Sequence, residues 1–256
     1  MALYDSHVHL DEACYDDDRQ AVIQRAFDQG LSGMINIGSD MSSSARSIAL
    51  AQQYPTIYCA VGIHPHEAEG TCEADYEQLC SWTTEPKVVA IGEIGLDYYY
   101  DHSPRPVQRT VFIRQLALAR ETHKPVIIHE RDAHGDFMDI LRREGEGLTG
   151  IVHCYSGSME MAQELIKRGF YLGIGGSLTF KNSKKLKQIV TELPLRHFVV
   201  ETDCPYLTPE PHRGKRNEPA YVRLVVEEIA ALKQVKTCEI EQATTKNLEE
   251  LFGFKH

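Results

Sequence analysis

No apolar stretch in this 256-residue chain approaches the length needed to cross a bilayer, about 20 consecutive apolar residues. The first residues, Met1 to Ser6, lack the basic segment and long apolar core of a secretory signal. The seven cysteines form no Cys-X-X-Cys pair, and their odd number argues against a disulfide framework. They read as scattered small hydrophobes of a reducing compartment, so a cytoplasmic location is expected. The first apolar run is followed by Leu10–Ala13 and not by Gly-X-Gly-X-X-Gly, which weakens the case for an open, dinucleotide-binding doubly wound sheet. Positive charge is scarce as well. The net charge is −10, and residues 1–101 carry 17 Asp and Glu against 4 Lys and Arg. Residues 102–256 carry 20 acidic and 23 basic side chains, which leaves them weakly positive. A general basic face for nucleic acid is therefore excluded. A polyanionic substrate would have to be held by metal and by a local patch, the best being Pro211–Asn217.

What is present is an ordinary globular composition, 42% apolar and 25% charged, with no linker, low-complexity tract or second domain. Apolar runs alternate with helical patterns. Acidic Asp16–Asp18 opens a helix that continues through Ala21–Phe27 toward Gly30. A strand is expected at Gly33–Ile37, and capping residues start a helix at Ser42. Further helices are expected at Cys72–Trp82, Val107–His123, His134–Arg143, Ser158–Arg168 and Ser183–Glu192, with a strand at Phe170–Ile174. Two last helices fall near 219–233 and 237–251. Eight strand–helix units in a chain close to the roughly 250 residues of a (β/α)8 barrel predict an α/β TIM barrel, with residues 1–256 as one domain.

His7 and His9 lie in the first apolar run, Leu3–Leu10. Side chains two apart on a strand share a face, so both imidazoles project the same way. Later β-branched runs also end in metal-capable residues: His64 after Ile57, Glu93 after Val88, His129 after Pro125, His153 after Gly150 and Asp203 after Phe198. In a barrel the carboxyl ends of the strands converge on one mouth. His7, His9, Glu93, His129, His153 and Asp203 are more ligands than one tetrahedral ion needs, and they suit two divalent ions. Glu93 is expected to bridge, with His7, His9 and Asp203 on one ion and His129 and His153 on the other. Such a pair activates water as the nucleophile and holds the attacking and leaving oxygens of a displacement at phosphorus. Glu93 and Asp203 are then the catalytic carboxylates, Asp203 also taking the water's proton. Zn, Mn, Mg, Co and Ni all accept this ligand set.

These segments resemble the TatD family of metal-dependent deoxyribonucleases, within the wider amidohydrolase-like barrels. The matching stretches are Asp5–Asp11, Gly62–His66, Gly92–Tyr99, Pro125–Ala133, His153–Gly157, Glu201–Leu207 and Pro211–Pro219. Cys204 stands where Ser or Ala is more usual, which touches no ligand. The resemblance implies a (β/α)8 fold, a divalent-metal centre and hydrolysis of phosphodiesters in DNA.

Around the ligands, Glu201 shares a face with Asp203 and is placed to orient a metal-bound group. His64, Arg131, Arg213, Lys215 and Arg216 are expected to meet substrate, the cations positioning phosphates without reading sequence. His66 lies in the same loop as His64, and Tyr98 and Tyr155 are candidates to stack on bases. The expected substrate is DNA, preferentially a single strand or frayed end. No membrane partner is expected, and a monomer satisfies the sequence. Two alternatives remain at this stage. One is a small-molecule amide, ester or phosphoester hydrolase on the same barrel; the other is a barrel that binds nucleic acid or a partner without catalysis.

Overall fold

The computed structural model describes residues 2–254. Its strands are short, buried and rich in β-branched residues, as strands covered on both faces should be. They are β1 (Tyr4–Val8), β2 (Gly33–Ile37), β3 (Ile57–Val61), β4 (Val88–Asp97), β5 (Val126–Arg131), β6 (Gly150–Val152), β7 (Phe170–Ile174) and β8 (Phe198–Val200). Between and after them run α1 (Arg19–Asp28), α2 (Met41–Gln53), α3 (Glu73–Trp82), α4 (Arg105–Thr122), α5 (His134–Glu144), α6 (Met159–Lys167), α7 (Lys184–Glu192), α8 (Val222–Lys233) and α9 (Thr237–Phe252). Local signals set several boundaries. The Asp40 side chain accepts the Ser43 N–H at 2.6 Å and starts α2. Pro104 and Pro106 flank the first residue of α4, whose end is marked by His123 in the left-handed region. No helix among the described residues is long and apolar enough to cross a membrane.

All eight strands are parallel and follow the order β1 to β8 in a nearly closed barrel, the expected (β/α)8 fold. Two compact units make it up. The first takes the described residues through Asn36, with Cys154–Ile166 and Tyr171 onward. In it β7 pairs with β8 from Leu172↔Phe198, and β1 with β2 from Tyr4↔Gly33. Val8 bridges to Cys204, beyond the end of β8. The second unit takes Ile37–His153 and Lys167–Phe170, where β3, β4, β5 and β6 pair in succession.

The expected strand ends need correction. Strand β4 continues four residues past Glu93 to Asp97, and β5 two past His129 to Arg131. Glu93 and His129 are thus internal to their strands. Asp203 and His64 instead lie three residues beyond β8 and β3. Gly95, with φ near +142°, lets β4 run on beside β5. It is paired with His129, and a Cβ there would strike the His129 carbonyl. Only glycine lets the two backbones approach so closely.

Candidate metal centre

In the first unit, β1 delivers His7, and His9 follows its last residue. Their Nε2 atoms lie 3.1 Å apart, with the rings inclined at 68°. Asp203 Oδ1 stands 3.7 Å from His7 Nε2 and 3.5 Å from His9 Nε2. The segment after β8 is laced to β1 by main-chain bonds: Asp203 N–H donates to His7 O at 3.0 Å and His9 N–H to Cys204 O at 2.9 Å. Asp203 takes φ of 56°, which turns the chain there. Asp5 locks the same seam. Its buried carboxylate accepts from His7 N–H (3.2 Å), Thr202 N–H (3.0 Å) and Thr202 Oγ1 (2.6 Å). Burial outweighs these bonds and pushes the Asp5 carboxyl up to about 8. Glu201, also buried, accepts the Cys154 N–H at 2.5 Å, so this carboxylate holds the start of the loop after β6.

In the second unit, Glu93 is the hub. Its Oε1 lies 2.7 Å from His153 Nε2, 3.1 Å from His129 Nδ1 and 3.7 Å from His64 Nε2. His129 Nδ1 and His153 Nε2 are 3.2 Å apart. Behind His129 sits Asp97, whose Oδ2 lies 3.0 Å from His129 Nε2 and 3.0 Å from His66 Nε2. Burial alone would raise the Asp97 carboxyl, but the bonds from His129, His66 and the Tyr100 N–H hold it well below the usual range. Burial pulls His129 down, yet its bonds to Asp97 and Glu93 prevail and raise it. Burial, reinforced by the neighbouring His129, holds His64 neutral, well below the ordinary imidazole value.

These contacts set tautomers. His64 Nδ1 accepts the His66 N–H at 3.1 Å, so the neutral ring carries its proton on Nε2 and is a donor toward Glu93. His129 donates from Nε2 to ionised Asp97, and its Nδ1 faces Glu93 and His153.

Divalent cations fit this donor set. Ligand atoms about 2.1 Å from a tetrahedral ion lie about 3.4 Å from each other. Imidazole nitrogens and carboxylate oxygens crowd together here at 2.7–3.7 Å. Within the second unit, ligand atoms of His64, Glu93 and His129 lie within 4.8 Å of one another. Of the six ligands expected from sequence, His7, His9 and Asp203 come together in the first unit and Glu93, His129 and His153 in the second, where His64 joins them. The apolar runs do not mark Asp97 as a partner of His129. Its signal was parity, since Glu93 and Asp97 are four apart on one strand and so share a face.

The residues expected to meet substrate are placed differently from one another. Arg131 is exposed, its guanidinium 4.3 Å above the Tyr99 ring and 4.8 Å above Tyr100. Arg213 is exposed over the Phe180 ring at 4.1 Å, and Lys215 is exposed. Arg216 instead makes a two-pronged pair with Asp18, at 2.9 and 2.6 Å. Tyr98 donates its hydroxyl to Asp136 at 2.6 Å beneath Arg105. Tyr155 is buried and donates to Ser158 O at 2.6 Å. Neither of these tyrosines presents an open face of the kind a base needs.

A parallel (β/α)8 barrel that gathers buried histidines and carboxylates defines a metal-dependent hydrolase. The chain belongs to the TatD family: the model for TatD related DNase matches residues 4–253. It is 46% identical over 251 residues to the uncharacterized metal-dependent hydrolase YabD of Bacillus subtilis (strain 168), spanning 98% of each chain. It is 34% identical over 258 residues to the 3′-5′ ssDNA/RNA exonuclease TatD of Shigella flexneri serotype 5b, covering 98% of this chain and 99% of that one. Among solved structures, YjjV, a TatD homolog from Escherichia coli K12, superposes with a TM-score of 0.92 at 32% identity, over 99% of this chain and 98% of the other. The Escherichia coli phosphotriesterase homology protein, at 15% identity and a TM-score of 0.69 over 98% of each chain, shares the fold.

Proposed function

We propose that this protein is a metal-dependent nuclease that hydrolyses phosphodiester bonds in DNA, acting on single strands or frayed ends. The observation that carries this reading is Glu93 at the centre of a buried histidine cluster, its Oε1 2.7 Å from His153 Nε2 and 3.1 Å from His129 Nδ1. A carboxylate has two oxygens, so one such side chain can serve two cations. We assign His7, His9 and Asp203 to one cation, His129 and His153 to the other, and Glu93 to both. Two divalent cations, when bound, supply Lewis acidity to a phosphodiester and lower the pKa of water enough to give hydroxide near neutral pH.

The chain's own groups do the rest. Asp203 accepts the proton of the attacking water. The Nε2–H of neutral His64 donates to a phosphoryl oxygen. Asp97 orients His129, while Asp5 and Glu201 hold the segments that carry His7, Asp203 and Cys154. Arg131, Arg213 and Lys215 position the flanking phosphates; Arg216, already paired with Asp18, contributes less. The likeness to a 3′-5′ ssDNA/RNA exonuclease at 34% identity supports a single-stranded substrate. Cys59 and Cys204, buried as thiols, fit a reducing compartment, and we place the protein in the cytoplasm as one (β/α)8 domain.

The test uses a single-stranded oligonucleotide labelled at its 5′ end, incubated with Mn, Mg, Zn, Co or Ni and with chelator. Stepwise shortening that chelator abolishes is expected. An oligonucleotide left intact under every metal would refute the nuclease reading.

A further inference from the structure

Beyond Asp97 the chain turns out of β4 into a loop that exposes two large rings. Tyr99 is 58% and Tyr100 50% exposed, among the few large hydrophobic side chains left open among the described residues. They meet edge to face, centroids 4.8 Å apart at 89°, and Tyr100 stacks on His102 at 5.6 Å and 7°. The Arg131 guanidinium lies over both tyrosine rings. The loop's backbone is fixed: Asp97 Oδ1 accepts the N–H of Tyr99 at 3.0 Å and of Tyr100 at 2.8 Å. The other oxygen of that carboxylate faces His129 and His66. One buried side chain therefore ties the exposed rings to the ligand cluster. The His66 ring spans the same interval, with its centroid 5.5 Å from Tyr100 and 6.3 Å from His129.

We infer that Tyr99, Tyr100 and Arg131 form a stacking subsite for an unpaired nucleobase next to the scissile phosphate. This rests on the nuclease reading above and names the part of the substrate that the reading leaves open. Exposed tyrosine faces cost apolar hydration in the free protein and gain by stacking on any base, since every base has a π-face. The guanidinium adds a cation where the base's own phosphate arrives, and its place over the rings pre-orients it. A paired base, with both faces covered by its neighbours in the duplex, cannot use such a platform. The subsite thus selects single strands without selecting sequence.

Binding of a fluorescein-labelled, hydrolysis-resistant phosphorothioate hexanucleotide to the metal-loaded protein, read by anisotropy, tests this. Hydrolysis of the unmodified strand is followed in parallel. Y99A/Y100A is expected to weaken binding about tenfold, and Y99F/Y100F to restore it. An abasic unit scanned through the hexanucleotide should have one position where wild type binds as weakly as Y99A/Y100A and where the variant loses nothing more. Unchanged affinity in Y99A/Y100A, or an equal loss for every abasic strand, would overturn the subsite. A wild type that shows the full binding pattern yet hydrolyses no strand would support the subsite and overturn the nuclease reading.

Discussion

Asp97 Oδ2 lies 3.0 Å from His129 Nε2, and this contact decides which nitrogen of His129 faces Glu93. An ionised carboxylate fixes the imidazole proton on Nε2 and makes Nδ1 the better ligand. D97N removes that preference while keeping the shape. Metal affinity measured by calorimetry is expected to fall about 10–100-fold with the fold intact by circular dichroism. Unaltered affinity would show that Asp97 only packs against the ring.

Gly95 makes a structural prediction on the same strand. G95A places a Cβ against the His129 carbonyl at a φ near +142°, which L residues rarely adopt. Stability is expected to fall by about 3 kcal/mol, with metal affinity falling too because β4 and β5 carry Glu93 and His129. Denaturant unfolding with a midpoint equal to that of wild type would contradict the close approach.

Much of this was legible from residues alone. The period of a strand put His7 and His9 on one face, and the alternation of apolar runs with helical patterns announced the barrel. Where the strands stop was less legible. Apolar runs mark the buried stretch, but β4 continues through Gly95 to Asp97 because its partner β5 continues beside it, a tertiary fact. The partner of a cation is likewise invisible in sequence. Arg213, Lys215 and Arg216 are neighbours in the chain, yet Asp18, nearly two hundred residues away, takes only Arg216. Tyr98 and Tyr155 carry the same ring as Tyr99 and Tyr100, and only burial and hydrogen bonding separate the packed pair from the exposed one.

That division of the basic loop is itself testable. Each phosphate contact on single-stranded nucleic acid contributes about 0.7 to the slope of log K against log salt. R213A/K215A should therefore flatten the slope by about 1.4, and R216A should change it much less. A larger change from R216A than from the double variant would reverse the assignment.

Substrate form offers another comparison. One labelled sequence is presented as single strand, blunt duplex and covalently closed circle under the same metal and salt. Cleavage is expected to be fastest for the single strand and slowest for the closed circle, which has neither an end nor exposed base faces. Equal or faster cutting of the circle would point to an endonuclease on duplex DNA.

The central claim is a pair of cations bridged by Glu93 that hydrolyses a phosphodiester. Metal-free protein titrated with Mn²⁺ while cleavage of a labelled single strand is followed tests it most directly. The account predicts that activity saturates at two equivalents per chain, and that E93A stays folded but loses orders of magnitude at any metal concentration. Full activity at one equivalent, or in E93A, would contradict it.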